Sequence, residues 1–156
     1  EGVRILQSRD PAIRSLRDVP AETVIQYKTL LPPKVFDRVR YVTGEIERVQ
    51  AAALDLEQGD LRSFGARMTE THRGLKELYE VSCVELDFLV DEAMANRGVL
   101  GARMMGGGFG GCVIALVQSA AKQSIEKSLA AKYHDTFGIN LSVYEVKITD
   151  GAGKIV

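Results

Sequence analysis

Apolar residues recur along the first half of the chain at alternating steps of four and three. Val35, Val39, Val42, Ile46, Val49, Ala53 and Leu56 follow a break at "LLPP", and that spacing draws one apolar stripe along a long helix. Pro33 suits the first turn, where its missing N–H leaves no bond unmade. Gly59 predicts the stop and Asp60 the N-cap of a second helix. There Leu61, Phe64, Met68, Thr71, Leu75 and Leu78 repeat the pattern, with Thr71 the one polar member. Joined at "QGD", the two predict an antiparallel helical hairpin. "SCVE" offers a capping box of Ser82 and Glu85. It opens a third helix that turns Leu86, Leu89, Val90 and Ala93 inward and ends near Asn96 and Gly98.

From Val99 the texture changes. "VLGARMM" and "CVIALV" read as strands on either side of a short glycine-rich loop, so they are expected to pair antiparallel. Ser119 can cap a further helix, with Ile125, Leu129 and Tyr133 inward and Gly138 as its stop. In "LSVYEVKI" Tyr144, Val146 and Ile148 alternate with Glu145 and Lys147, the period of a half-buried strand. Helices followed by strand, loop, strand, helix and strand predict an α+β fold, an antiparallel sheet with helices on one face. No repeat or linker divides residues 1–156.

Composition narrows the function classes. A chain of 156 residues with 46% hydrophobic and 26% charged residues can close a core without disulfides. Its net charge of -1 favours neither nucleic acid nor an anionic membrane as partner. "CVIALV", the longest apolar run, is too short to span a bilayer. Cys83 and Cys112 read as small buried hydrophobes of a reducing compartment. His72 and His134 lack ligand spacing, so no metal site is expected. The opening "EGVRILQSRD" reads as the tail of a helix already under way, which suggests a piece of a longer chain.

The candidate chemistry lies in "GARMMGGGFGGC", where Gly106, Gly107, Gly108, Gly110 and Gly111 leave Phe109 as the one side chain among them. The string satisfies G-x-G-x-x-G, but a strand follows it, and the dinucleotide fingerprint needs a helix there. It also satisfies G-x-G-x-x-G-x-V of the protein kinases, yet too little chain follows for a catalytic lobe, and neither H-R-D nor D-F-G occurs. No Walker A string is present. Two readings stay open: an array of unobstructed N–H groups for an anion such as phosphate, or close packing against another backbone.

The same residues resemble the third motif of the GHMP small-molecule kinases, and within them the galactokinases, where the loop reads "GARMTGGGFGGC". "SLRDV", "ALDLEQGDL", "MTETHRGLKELYEVSCVELDFLV" and the closing "DGAG" resemble that family in the same order, so the similarity runs through nearly the whole chain. It implies a two-domain cytoplasmic enzyme that moves the γ-phosphate of ATP, with magnesium, to the anomeric hydroxyl of galactose. The catalytic aspartate and the main phosphate loop (P-x-x-x-G-L-S-S-S-A) belong to the family's N-terminal domain, and neither motif occurs in this sequence. By that resemblance residues 1–156 are a C-terminal domain with a ferredoxin-like core, partnered by an N-terminal domain of the same polypeptide and inactive alone. Parted from that domain, the piece is expected to bare an apolar face and self-associate. Another GHMP sugar kinase, or a non-catalytic regulator that binds galactose and ATP, fits the same residues.

Carried over position by position, the resemblance makes Gly106, Gly107, Gly108, Gly110 and Gly111 the nucleotide-binding residues, and gives this chain no catalytic residue and no metal ligand. Met105 stands where the family usually has threonine, which removes a hydroxyl beside the loop. Four other side chains are weighed on their own chemistry. Arg103 could lend charge to a phosphate, although solvent is its expected environment. His72 is expected to be a partly exposed helical residue without a special role. Asp87 and Asp91, four apart, are expected on a solvated face. Phe109 is expected to anchor the loop in the core.

Overall fold

The computed structural model describes residues 1–146. A short helix, α1 (Gly2–Gln7), and two 3-10 turns, Leu16–Asp18 and Ala21–Tyr27, wrap the start of the long helix α2 (Pro33–Glu57). Leu6, Ile13, Val19, Val24 and Leu31 close a core there against Phe36 and Val39. At 1.5 Å per residue α2 runs for about 37 Å. Gly59, at φ +70, ends the helix, and Asp60 caps the next by accepting the Ser63 amide at 3.0 Å. That helix, α3 (Leu61–Gly74), continues into a π turn at Leu75–Tyr79. Thr71 is buried because its hydroxyl bonds Glu45 of α2 at 2.8 Å, which explains the one polar member of the stripe.

The stripe on α2 is covered only in its first half, where Val39 is buried and Val35, Val42 and Ile46 are half-buried. Val49 and Leu56 are largely exposed, and they line the wall of an open groove shared with Phe64 and Met68 of α3. The expected capping box at Ser82 does not form. Helix α4 (Val84–Met94) starts one residue later, with Cys83 at its N-cap, and the Ser82 hydroxyl donates instead to Asp87 Oδ1 at 2.6 Å. Leu86, Leu89, Val90 and Ala93 of α4 are buried as their spacing requires.

Strands β1 (Val99–Met105) and β2 (Cys112–Val117) pair antiparallel, with Met105 opposite Cys112 and Ala102 opposite Ala115, and a β-bulge lies between Val99 and Gly101. Val113, Ala115 and Val117 meet Val90, Ala93 and Ala102 in a second core, closed by Ile125 of helix α5 (Lys122–Phe137). Ser119 opens a 3-10 turn ahead of α5 and does not cap it with its side chain. Phe137 and Tyr133 stack with Phe88 of α4, and Gly138 at φ +69 stops the helix. The sheet has two strands among the described residues. Leu141 to Val146 form no strand, with Tyr144 and Val146 mostly in solvent; Lys147 and Ile148 lie outside the described residues. The architecture is α+β, with helices covering one sheet face.

Helix α3 also lies along the free edge of β1. In an antiparallel pair alternate residues point their N–H away from the partner strand, and such an edge must be covered. The Ala102 amide donates to Thr69 Oγ1 at 3.4 Å and the Met104 amide to His72 Nδ1 at 3.3 Å. Gly65 and Gly101 make this approach possible: a Cβ on Gly65 would land inside the Leu100 carbonyl, and one on Gly101 inside the Gly65 carbonyl.

His72 is therefore a buried residue, 5% exposed, rather than a partly exposed one. Burial holds its imidazole below the usual histidine range, against the pull of Asp87, and an Nδ1 that accepts from an amide must carry no proton. Its Nε2 stands 3.3 Å from Asp87 Oδ1 but has no aligned hydrogen-bond partner.

Two measurements check this edge contact. Alanine is intrinsically better than glycine in a helix by about 1 kcal/mol, but overpacking costs about 1–3 kcal/mol, and at Gly65 the obstacle is rigid backbone. Gly65→Ala should lose about 2 kcal/mol in urea unfolding, whereas Gly44→Ala on α2, whose Cβ would meet only Arg48 at 4.0 Å, should be neutral or stabilising. For His72, the unfolded chain binds the proton more readily than the native one. Stability is then complete above the unfolded histidine pKa of about 6.5 and is lost as pH falls below it. Unfolding at stepped pH should show that loss, and His72→Asn should flatten it.

Candidate functional site

The glycine loop joins β1 to β2 as a hairpin whose backbone is largely left-handed. Gly106, Gly108, Gly110 and Gly111 have φ of +89, +85, +127 and +101, and Phe109 has +59. Four of these five positions require glycine for conformation alone. Gly107 lies outside the left-handed region, so its lack of a side chain has a different cause. Nothing approaches within 4 Å of the Cβ positions of Gly106, Gly107 and Gly110.

Of the two readings left open by the sequence, close packing against another backbone is seen at Gly108. Gly108 packs against the segment before α4, where a Cβ would strike the Val81 carbonyl, and that carbonyl accepts the Phe109 amide at 2.8 Å. The Phe109 amide is thus committed inside the protein. The amides of Gly107, Gly108 and Gly110 make no backbone hydrogen bond among the described residues. The Phe109 side chain does not anchor the loop: the residue is 76% exposed, because φ +59 together with the bond to Val81 turns it outward. Met105 is also exposed.

Arg103 is half-buried rather than solvated. It lines one end of the groove between α2 and α3, about 310 Å³ in volume, with Glu45, Arg48 and Thr71. Arg48 is held there by Glu45 and by Glu70 at 3.3 Å. Cys112 is exposed at the end of the loop and Cys83 half-buried at the N-cap of α4, so neither is the buried hydrophobe expected.

Asp87 likewise departs from a solvated face. It is mostly buried, takes the Ser82 hydroxyl on Oδ1, and pairs with Lys76 Nζ at 3.0 Å through Oδ2. Burial pushes its carboxyl up, but the Ser82 hydroxyl and the Lys76 ammonium together hold it below the usual carboxylate range. Asp91 remains exposed. The Asp87 cluster with His72 escaped the sequence reading because its members come from a helix, a π turn and a second helix. Its one visible sign was polar His72 lying one residue beyond Thr71 of the stripe.

Among the described residues no three His, Cys, Asp or Glu side chains gather as a metal site. The described side chains therefore offer no such cluster to a magnesium ion. No helix of the described residues is long and apolar enough to cross a membrane.

Residues 50–135, more than half the chain, match the family described as GHMP kinases C terminal. The chain is 38% identical over 154 residues to the galactokinase of Roseiflexus sp. (strain RS-1), covering 99% of this chain and 39% of that protein. To the galactokinase of Homo sapiens it is 44% identical over 138 residues, covering 88% of this chain and 34% of that one. The crystal structure of Lactococcus lactis galactokinase complexed with galactose superposes with a TM-score of 0.84 at 34% identity, over 88% of this chain and 36% of that one. The chain thus spans between 34% and 39% of the length of these three. With a left-handed glycine hairpin on an edge-clasped strand, and a fold shared with a galactokinase along most of its length, this chain belongs to the GHMP kinase C-terminal family.

Proposed function

We propose that this chain is the C-terminal part of a galactokinase, a cytoplasmic enzyme transferring the γ-phosphate of ATP to the anomeric hydroxyl of galactose to give galactose 1-phosphate. The observation that carries this reading is the glycine hairpin. It has an open side without side chains, and it sits in a chain similar to galactokinases from bacteria and mammals. Phosphoryl transfer asks a protein mainly for positioning and for stabilisation of charge spread over the phosphoryl oxygens. Backbone amides of Gly106, Gly107, Gly108, Gly110 and Gly111 supply partial positive charge without any side chain. Phe109 contributes no amide, since its N–H is taken by Val81. Magnesium accompanies ATP, and its protein ligands, like the base that takes the sugar proton, belong to the rest of the polypeptide. That remainder also covers the exposed stripe of Val49 and Leu56 on α2.

Gly107 separates ligand access from conformation. Its φ needs no glycine and its Cβ would meet nothing, so Gly107→Ala should leave thermal stability within about 0.5 kcal/mol. In the natural polypeptide that carries this chain, the same change should raise the KM for ATP several-fold with galactose as acceptor. Gly108→Ala should damage stability and ATP use together. Unchanged ATP kinetics in Gly107→Ala would argue that the open side meets no phosphate. The 156-residue chain alone should show no galactose phosphorylation and should associate with itself as its concentration rises. Turnover by that piece, freed of full-length enzyme, would refute the division of labour.

A further inference from the structure

Both arms of the glycine hairpin are tied to one polar cluster, built on buried His72 and half-buried Asp87, on the helical side of the sheet. On the entering arm, the Met104 amide donates to His72 Nδ1 at 3.3 Å, one residue before Met105 ends β1. On the returning arm, the Phe109 amide donates to the Val81 carbonyl at 2.8 Å. That carbonyl shares its rigid peptide plane with the nitrogen of Ser82, and the Ser82 hydroxyl is fixed by Asp87 Oδ1 at 2.6 Å. Val81 is held from the other direction as well, its own amide donating to the Leu75 carbonyl at 3.0 Å. The two ties converge, since His72 Nε2 and the Ser82 hydroxyl both stand against the same oxygen of Asp87. Lys76 takes the other oxygen.

We propose that His72, Ser82 and Asp87 are positioning residues for the nucleotide-binding hairpin, setting the spacing and tilt of its two arms from beneath. None of the three is a catalytic residue, because each reaches the hairpin only through a backbone group of β1 or of Val81. The inference rests on the proposed function only for its consequence on ATP; the positioning itself is a property of the fold. A hairpin with five left-handed residues has many backbone conformations of similar energy. The Met105–Cys112 pairing joins its ends, and the hydrogen bonds of the Met104 and Phe109 amides fix it against the helical side. The charged groups facing His72 are Asp87 and Asp91 from α4 and Lys76 from the π turn. Any pH dependence of the hairpin's order is therefore set by these groups together with His72.

The test uses the natural polypeptide that carries this chain, with amide exchange read at Met104 and Phe109 and steady-state kinetics read for ATP and galactose. Ser82→Ala removes one hydroxyl and His72→Leu removes the acceptor while filling the volume. Ser82→Thr keeps the hydroxyl, and His72→Asn keeps an acceptor near the place of Nδ1. Ser82→Ala should speed exchange at Phe109, and His72→Leu at Met104, by roughly fivefold to tenfold, the worth of about one net hydrogen bond. Each should raise the KM for ATP by a similar factor and leave the KM for galactose unchanged. The two conservative variants and Asp91→Asn should stay near wild type. Unaltered exchange at both amides would overturn the proposal, and so would faster exchange with unaltered ATP kinetics. A wild-type polypeptide without ATP-dependent turnover would count against the proposed function alone, because exchange in the same variants still decides whether the cluster holds the hairpin.

Discussion

The structure depends on a helix lying along the bare edge of a strand. A strand edge presents fixed N–H groups, and a helix has no spare backbone acceptors to pair with them, so side chains must take their place. The match of lengths makes this possible. From Gly65 to His72 the helix rises about 10.5 Å, and from Gly101 to Met104 the strand advances about 10 Å. Contacts at Gly65 with Gly101, Thr69 with Ala102, and His72 with Met104 can then all be made in one register. The close approach at the glycine pair brings the short Thr69 side chain within reach, and the longer imidazole spans the wider gap beyond it.

That arrangement fixes the chemistry of its members. An imidazole that accepts an amide proton on Nδ1 stays neutral and carries its own proton on Nε2, which faces Asp87 without alignment; the carboxylate takes its hydrogen bonds from Ser82 and Lys76. A capping box would need the Ser82 oxygen to accept the Glu85 amide. The Ser82 hydroxyl is instead turned onto Asp87 Oδ1, and α4 starts one residue later than its composition suggests, with Cys83 at the N-cap.

Elements set by local periodicity were legible in the sequence. α2, β1 and β2 begin and end where their spacing, proline and glycines place them, and the buried face of α4 is the one its leucines mark although its start lies one residue later. What was not legible depends on partners far along the chain. Mid-helix Gly65 looks like a weak point until Leu100 and Gly101 lie on it, and His72 looks like a surface residue until Met104 does. Phe109 was misread because its hydrophobicity argued for the core while its left-handed backbone turned it out. The alternation at Tyr144 and Val146 needs a neighbouring strand to become a ladder, and residues 141–146 have none among the described residues. Of the site, the glycines themselves were visible, whereas the cluster beneath them was not.

The hairpin resolves the ambiguity of its own glycines by dividing them. Gly108 is bare because Val81 occupies the space, a packing demand met inside this chain. Gly106, Gly110 and Gly111 are bare because their φ values exclude a Cβ at low cost. Neither demand accounts for Gly107, whose backbone would accept any residue and whose surroundings are empty. Phe109 poses the converse problem. A left-handed non-glycine residue costs of order 1–3 kcal/mol, and with its ring in water it recovers little of that by packing. A bare position with no internal cause points outward, whereas the strain at Phe109 is offset in part by its amide bond to Val81. Under the proposed function, the open position at Gly107 is the one that admits a phosphate-bearing ligand.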